Sequence, residues 1–223
     1  SHQGLTFGGL ITTVDSRAAS VLQMLEAIAS YATAQGFKRF SYKAMPHIYH
    51  QHPASEDEYA LFRLGARLTR VDITTTVDYA SPIHFSTLRK RGAKKAEKAG
   101  VTVRRSDDYA SFHAIIRAIV EGKYETQATH SQSELELLAR RFPEAITLHA
   151  AYLGDEMLAG VLIFETASVA HAQYIGATPH GRELGALDML FSQLIQQEYA
   201  AKRYFDFGIS TEQAGRLLNE GLV

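Results

Sequence analysis

The stretch from Ala172 to Asn219, AQYIGATPHGRELGALDMLFSQLIQQEYAAKRYFDFGISTEQAGRLLN, decides the fold class. It reads as an apolar strand, a glycine-containing turn, an amphipathic helix, a second strand, and a polar turn opening another helix. A helix that leaves a strand at such a turn presents N–H groups unpaired within its own first turn, and that end can hold a phosphate. The N–H groups of residues 183–186 would face the phosphate, and Arg182 would add charge. A plainer reading makes Gly181, Arg182 and Gly185 a helix start with an exposed arginine, with Gly185 placed for close helix–strand packing.

Working outward, the meander before this stretch completes the class. Thr147–Tyr152, Met157–Glu165 and Val169–Ile175 read as three strands, with Gly154-Asp155 and Thr166–Ser168 as the hairpin turns. Ser131 with Glu134 is a capping box for a helix that Pro143 ends. Asp107 starts a helix reaching about Glu121, and Val101–Arg104 is a short strand. Ser81-Pro82 reads as N-cap and N1 of a helix running to Ala99, and Arg67–Tyr79 as the longest strand. Towards the N-terminus, Leu5–Thr12 and Phe37–Met45 read as strands on either side of a Val14–Gln35 helix, and Ser55 with Glu58 as a second capping box. The expected class is α/β (α+β), a mixed sheet flanked by helices. Its two segments are residues 1–79 and 80–223. A faint repeat, GFKRFSY against AAKRYFDF, each after a strand and a helix, would make the two segments related lobes.

Composition narrows the function. The chain has 223 residues, 46% hydrophobic and 21% charged, with a formal net charge of −1, so its overall field does not argue for a nucleic-acid or anionic membrane partner. Any electrostatic steering must be local. The absence of cysteine excludes disulfides, thiolate metal sites and cysteine nucleophiles, and makes a cytoplasmic location the default expectation. No apolar run approaches the roughly 20 residues that span a bilayer. The sequence opens at Ser1 on a strand-like run, so a piece of a longer chain is expected.

Several polar residues stand where chemistry collects. Asp206, Gly208, Ser210, Thr211 and Glu212 follow the end of a strand, where open sheets gather ligands. Glu212 is a candidate general base, although a first-turn glutamate explains it equally well, and Ser210 with Gln213 also reads as a capping box. Lys43, His47, Tyr49, His50 and His52 form the densest polar and aromatic cluster, which suits acceptor recognition by Lys43 and Tyr49 or a solvated loop. The histidine spacing does not match a closed metal site, and no metal is expected. Arg91, Lys94, Lys95 and Lys98 make a basic helix face, either phosphate-binding or simply solvated. Ser131 beside His130 is better used as an N-cap than as a nucleophile.

Taken together, HSQSELELLARRFP (130–143), GDEMLAGVLIF (154–164), HAQYIG (171–176), GRELGALD (181–188), YFDFGISTE (204–212) and LLNEGL (217–222) resemble the GNAT acyltransferase superfamily. The likeness is to its tandem branch, which holds Fem-type peptidoglycan bridge aminoacyltransferases and biotin-cluster-type acetyltransferase domains. It is best from about Ser81 to Val223, and it implies a chain cut at both ends. It implies an acyltransferase moving an acyl group, acetyl from acetyl-CoA or another acyl-CoA, to a small-molecule or peptide amine by direct attack in a ternary complex, without an acyl-enzyme. A Fem-like member would instead use aminoacyl-tRNA, and a member without a donor site would be a binding module. The resemblance places Gly181, Arg182, Gly185 and Ala186 of the donor turn at the cofactor, with Gln173 from the strand before it, but Leu187 stands where the family has Gly or Ala. Tyr174 lies where the superfamily splays its strands and is a candidate proton donor to the leaving group, or an aromatic packed in the sheet. Asp206 and Ser210, with Lys43 and Tyr49, are the expected substrate contacts.

Overall fold

A computed structural model describes residues 7–81, 84–124 and 129–219. The chain divides into two compact units, one ending at Val71 and the other starting at Asp72.

The second unit is built on a six-stranded sheet in the order β1-β6-β5-β4-β3-β2. Its strands are β1 (Thr74–Asp78), β2 (Thr102–Arg105), β3 (Ile146–Leu153), β4 (Glu156–Glu165), β5 (Val169–Ala177) and β6 (Tyr204–Ile209). The β3–β4–β5 meander forms as the sequence predicts, because near-continuous apolar runs bury both faces of these strands. Every neighbouring pair is antiparallel except β5 and β6, which are parallel because a helical crossover joins them.

One face is covered by α4 (Tyr109–Tyr124) and α5 (Gln132–Arg141), where Phe112, Ile115, Ile116 and Leu135 pack on Leu148 and Leu162. The fit is tight: a Cβ on Gly160 would lie 2.5 Å from the Phe112 ring. The fully buried Phe112 contributes roughly 2–3 kcal/mol through removal of its apolar surface from water. The other face carries α3 (Thr87–Lys98), α6 (Pro179–Leu184) and α7 (Ala186–Gln193), with Leu158, Val161, Ala186, Leu190, Leu194 and Phe205 at its core. A π-helical turn, Leu194–Glu198, follows α7 and leads towards β6.

Several boundaries differ from the sequence reading. Only Thr74–Asp78 of the long strand forms, and it pairs with β6 in the second unit, although the reading placed it with the first segment. Helix α3 begins at Thr87, capped by Ser86 Oγ accepting from Arg89 N at 3.3 Å, and Pro82 lies outside the described residues. After Ser210 the chain forms a hairpin, β7 (Thr211–Glu212) with β8 (Leu217–Leu218), in place of the expected helix. Gln213, Ala214 and Gly215 all have positive φ, which a right-handed helix cannot contain.

In the first unit, α1 (Ala18–Ala34) and α2 (Glu56–Arg63) pack through Val21, Leu25 and Ala60, with a 3₁₀ turn at His47–Tyr49. Within the described residues, the expected flanking strands are joined by a backbone bond from Gly8 N to Lys43 O at 3.1 Å but form no ladder. Ser55 caps α2 without a side-chain bond. Among the described residues no helix is long and apolar enough to cross a membrane.

Candidate functional site

Strands β5 and β6 pair at Val169–Tyr204, Ala170–Phe205 and His171–Asp206, and the ladder ends there while β5 runs on to Ala177. At the same level β5 carries a bulge: Ile163 faces Ala172 and Leu162 faces Tyr174, so Gln173 is the extra residue. A bulge bends its strand and re-aims the side chains beyond it. The two strands therefore part at His171, and the β6-facing edge of residues 172–177 lies outside the β5–β6 ladder. The bulge also brings His171 and Tyr174 to one face of the sheet, opposite Ala170 and Ala172 in the α7-side core.

A buried polar network closes the foot of this opening. His171 Nδ1 lies 2.9 Å from Asp206 Oδ2, and its Nε2 lies 3.2 Å from Gln173 Oε1. Asp206 Oδ1 accepts from Thr76 Oγ1 at 3.1 Å and from Gly208 N at 3.0 Å. Asp206 is fully buried, so its carboxylate is held by donors in place of water. Gly208 takes φ +78°, and a Cβ there would meet His171 Cε1 at 3.0 Å; glycine supplies both the conformation and the space. Ser210 Oγ is 2.7 Å from Thr75 Oγ1, and Ser210 N donates to Ile73 O at 2.7 Å, which ties β1 to the end of β6.

Beside the opening, the Tyr174 hydroxyl shares a 2.5 Å hydrogen bond with His130 Nδ1, the rings meeting edge to face at 5.8 Å. His130 directly precedes Ser131, whose capping box forms as the sequence predicts and fixes the start of α5. Burial raises the Tyr174 phenol above its ordinary value, which keeps it protonated at neutral pH.

The turn after β5 differs from its sequence reading. The helix starts at Pro179, with Thr178 as N-cap accepting from Gly181 N at 2.9 Å. Arg182 N donates to Thr178 O, and Gly185 N to Arg182 O, so these amides are used within the turn. Gly181 is buried against β4, where a Cβ would come within 2.2 Å of Leu158 O. Gly185 has φ +78° and separates α6 from α7. A Cβ on it would sit 2.5 Å from Gly92 O, so its close contact is with α3 rather than with a strand. Asp188, in the first turn of α7, is bound by Arg89 NH1 at 3.0 Å, and Lys95 Nζ caps Glu183 O at 2.6 Å. A carboxylate thus stands at the α7 N-terminus, in the place a helix end offers to a phosphate. Ala186 is fully buried in the core, Leu187 packs against that core, and Arg182 is exposed.

Residues 86–214, more than half of the chain, match the profile of a family described as acetyltransferase (GNAT) domain. The chain belongs to the GNAT acetyltransferase family. Acyl transfer is the general chemistry that the family's description gives. Among solved structures it is similar to FemX, at 15% identity and TM-score 0.59 over 84% of this chain and 68% of that one. L-PGS from Bacillus licheniformis matches at 15% identity and TM-score 0.62, over 93% of this chain and 64% of that chain. A DUF2156 C-terminal domain from Agrobacterium fabrum matches at 12% identity and TM-score 0.51, over 68% of this chain and 51% of that chain. These likenesses show a shared Fem-type fold, and the GNAT chain spans from about half to about two thirds of those proteins. A search of curated proteins finds no significant match.

The structure thus places Gln173, Tyr174 and Asp206 of the GNAT domain together at the opening. Asp206 and Ser210 are fully buried there, and His171 beside them is 7% exposed. Glu212 lies in the β7–β8 hairpin, its Oε1 accepting from Asn219 Nδ2 at 3.2 Å. Lys43 and Tyr49 gather around Phe7 in the first unit: Lys43 Nζ is 5.7 Å from the Phe7 ring centre, and the two rings lie 5.1 Å apart. Among the described residues no three His, Asp or Glu side chains are grouped to hold a metal. Sequence reasoning did not single out His171 or Thr76, and it weighed His130 only beside Ser131 as a nucleophile pair. The signal for His171 was its position two residues before Gln173 on the same strand, but a partner 35 residues away becomes visible only once the parallel register is known.

Proposed function

We propose that this GNAT domain transfers an acyl group from an activated ester to an acceptor amine by direct attack, with the acyl carbonyl laid along the open edge of β5. The parting of β5 from β6 at the Gln173 bulge carries this reading, because it leaves strand amides beside a cleft where a developing oxyanion can be met by preorganised donors. The reaction forms a C–N bond, breaks the bond to the carrier, and needs one group to take the amine's proton and another to protonate the carrier. Tyr174, kept protonated by burial and anchored on His130, suits the second task.

The carrier is read from the α6–α7 turn. With the Gly92 carbonyl against Gly185 and Asp188 at the α7 end, the position that would cradle a CoA pyrophosphate carries oxygen atoms of the protein itself. Helix α3 meanwhile exposes Lys90, Arg91, Lys94 and Lys98 on the same side of the sheet. This combination favours an aminoacyl ester on tRNA, whose acyl end needs no pyrophosphate cradle. The acyl-CoA reading is supported by the family's description as acetyltransferase. The two part in a transfer assay with a panel of amines, using either acetyl-CoA or charged tRNA as donor and mass spectrometry as readout. N-acylated product from charged tRNA, falling steeply with salt, is expected. Product from acetyl-CoA alone would overturn the tRNA reading, and no product from either donor would overturn the transfer reading.

A further inference from the structure

We propose that His171 is the proton acceptor of the reaction, oriented by Asp206, with Nε2 taking the proton of the attacking amine. This rests on the acyl-transfer reading of the β5–β6 opening.

The assignment follows from donors and acceptors. An ionised carboxylate only accepts, and Asp206 already accepts from Thr76 and Gly208 N through Oδ1. Its Oδ2, 2.9 Å from His171 Nδ1, therefore calls for a proton on Nδ1. In the neutral ring the lone pair is then on Nε2, the atom that faces the bulged residue Gln173 at the mouth of the opening. A half-turn of the Gln173 amide about its last bond presents its NH₂ to that lone pair, and an incoming amine makes the same N–H···N contact in its place. The geometry is fixed from several directions. Thr76 comes from the edge strand β1, Gly208 closes on the Cε1 side, and the ladder pins the two strands at the His171–Asp206 pair itself. Such orientation by a buried partner is what a general base requires.

The step balances. The amine nitrogen bonds the acyl carbon as its proton passes to Nε2, the electron pair of the broken bond leaves with the carrier's oxygen or sulfur, and Tyr174 protonates that atom. His171 then returns its proton to water, and Tyr174 regains one from water, which restores both groups. Asp206 from β6 is the charged group hydrogen-bonded to the imidazole, and uncharged Thr76 from β1 donates to Asp206; further along β5, on the same face, Tyr174 pairs with His130.

The test compares wild type with His171→Gln, Asp206→Asn and Thr76→Val, using whichever donor the wild type accepts. His171→Gln is expected to lower kcat about 10²- to 10⁴-fold with little change in donor KM, to remove the acidic limb of the kcat/KM profile, and to be partly rescued by added imidazole. Thr76→Val leaves the histidine in place and is expected to lower kcat less. An unchanged acidic limb in a folded His171→Gln protein would overturn the proposal while the transfer reading stands. An imidazole nitrogen NMR measurement on the wild-type chain needs no donor: Nδ1–H with an unprotonated Nε2 in alkaline solution is expected. An Nε2–H tautomer there would overturn the proposal even if no donor is ever found.

Discussion

At the scale of single residues, the glycines separate two kinds of demand. Gly208→Ala keeps the chain in a left-handed conformation that costs an L-residue roughly 1–2 kcal/mol, and its Cβ would press on His171 Cε1. Urea denaturation should register the loss of stability, and the transfer assay should show a lower kcat from the displaced ring. Gly185→Ala meets a backbone carbonyl, Gly92 O at 2.5 Å, which cannot swing away as a side-chain tip can. The strained φ and the parting of α3 from α7 together should cost at least about 2 kcal/mol, read as a lower denaturation midpoint whether or not a donor is present. If Gly185→Ala instead left stability intact, the close packing of α3 on this turn would be wrong.

At the scale of elements, caps and one buried histidine set how the helices hold to the sheet. Thr178→Ala removes the N-cap of α6, and Ser131→Ala breaks the capping box of α5; each should cost about 1 kcal/mol, measurable by thermal melting. His149 on β3, 3% exposed, shares a 2.8 Å hydrogen bond with the Tyr199 hydroxyl just past the π-helical turn. Burial lowers its imidazole from 6.5 to about 4. The folded state therefore binds this proton less well than the unfolded chain, so its contribution is intact above pH 6.5 and is lost as pH falls towards 4. The loss is on the order of 3 kcal/mol, and His149→Gln should flatten the dependence of the urea midpoint across that window. A midpoint equally steep in the variant would place the acid sensitivity elsewhere.

At the scale of the whole molecule, residues 66–71, the last of the first unit, form no helix or strand, and Arg67 and Arg70 among them are exposed. Brief tryptic digestion should cut there first and leave a resistant fragment that starts after one of these arginines and carries the complete six-stranded sheet. Early cleavage within α3 or α7 would instead show that the second unit does not hold together as one core. The apolar residues that the first unit leaves exposed, among them Phe37, Phe40, Phe62 and Leu68, contrast with the mostly buried meander of the second. This contrast explains why strand-like patterns at Phe7–Thr12 and Phe37–Met45 form no ladder: a strand needs a partner row and a face to bury as well as β-branched residues.

The sequence alone determined the meander, the crossover to β6 and the capping of α5, because each is written in local periodicity, caps and turns, while the GNAT likeness lay in its motifs and the family profile established it. Gln173 and Tyr174 were singled out because they lie in the strand before a recognisable turn, where the GNAT likeness implies splayed strands. Tertiary structure decided the rest. Gly185 reads as a phosphate turn until α3, some 90 residues earlier in the chain, is seen to place Gly92 against it. Asp206 reads as a substrate contact until the register of β5 on β6 buries it against His171. Ser210 reads as a helix cap until Thr75 of the edge strand arrives beside it. In each case the local sequence fixes what a residue can do, while long-range pairing fixes which partner reaches it first.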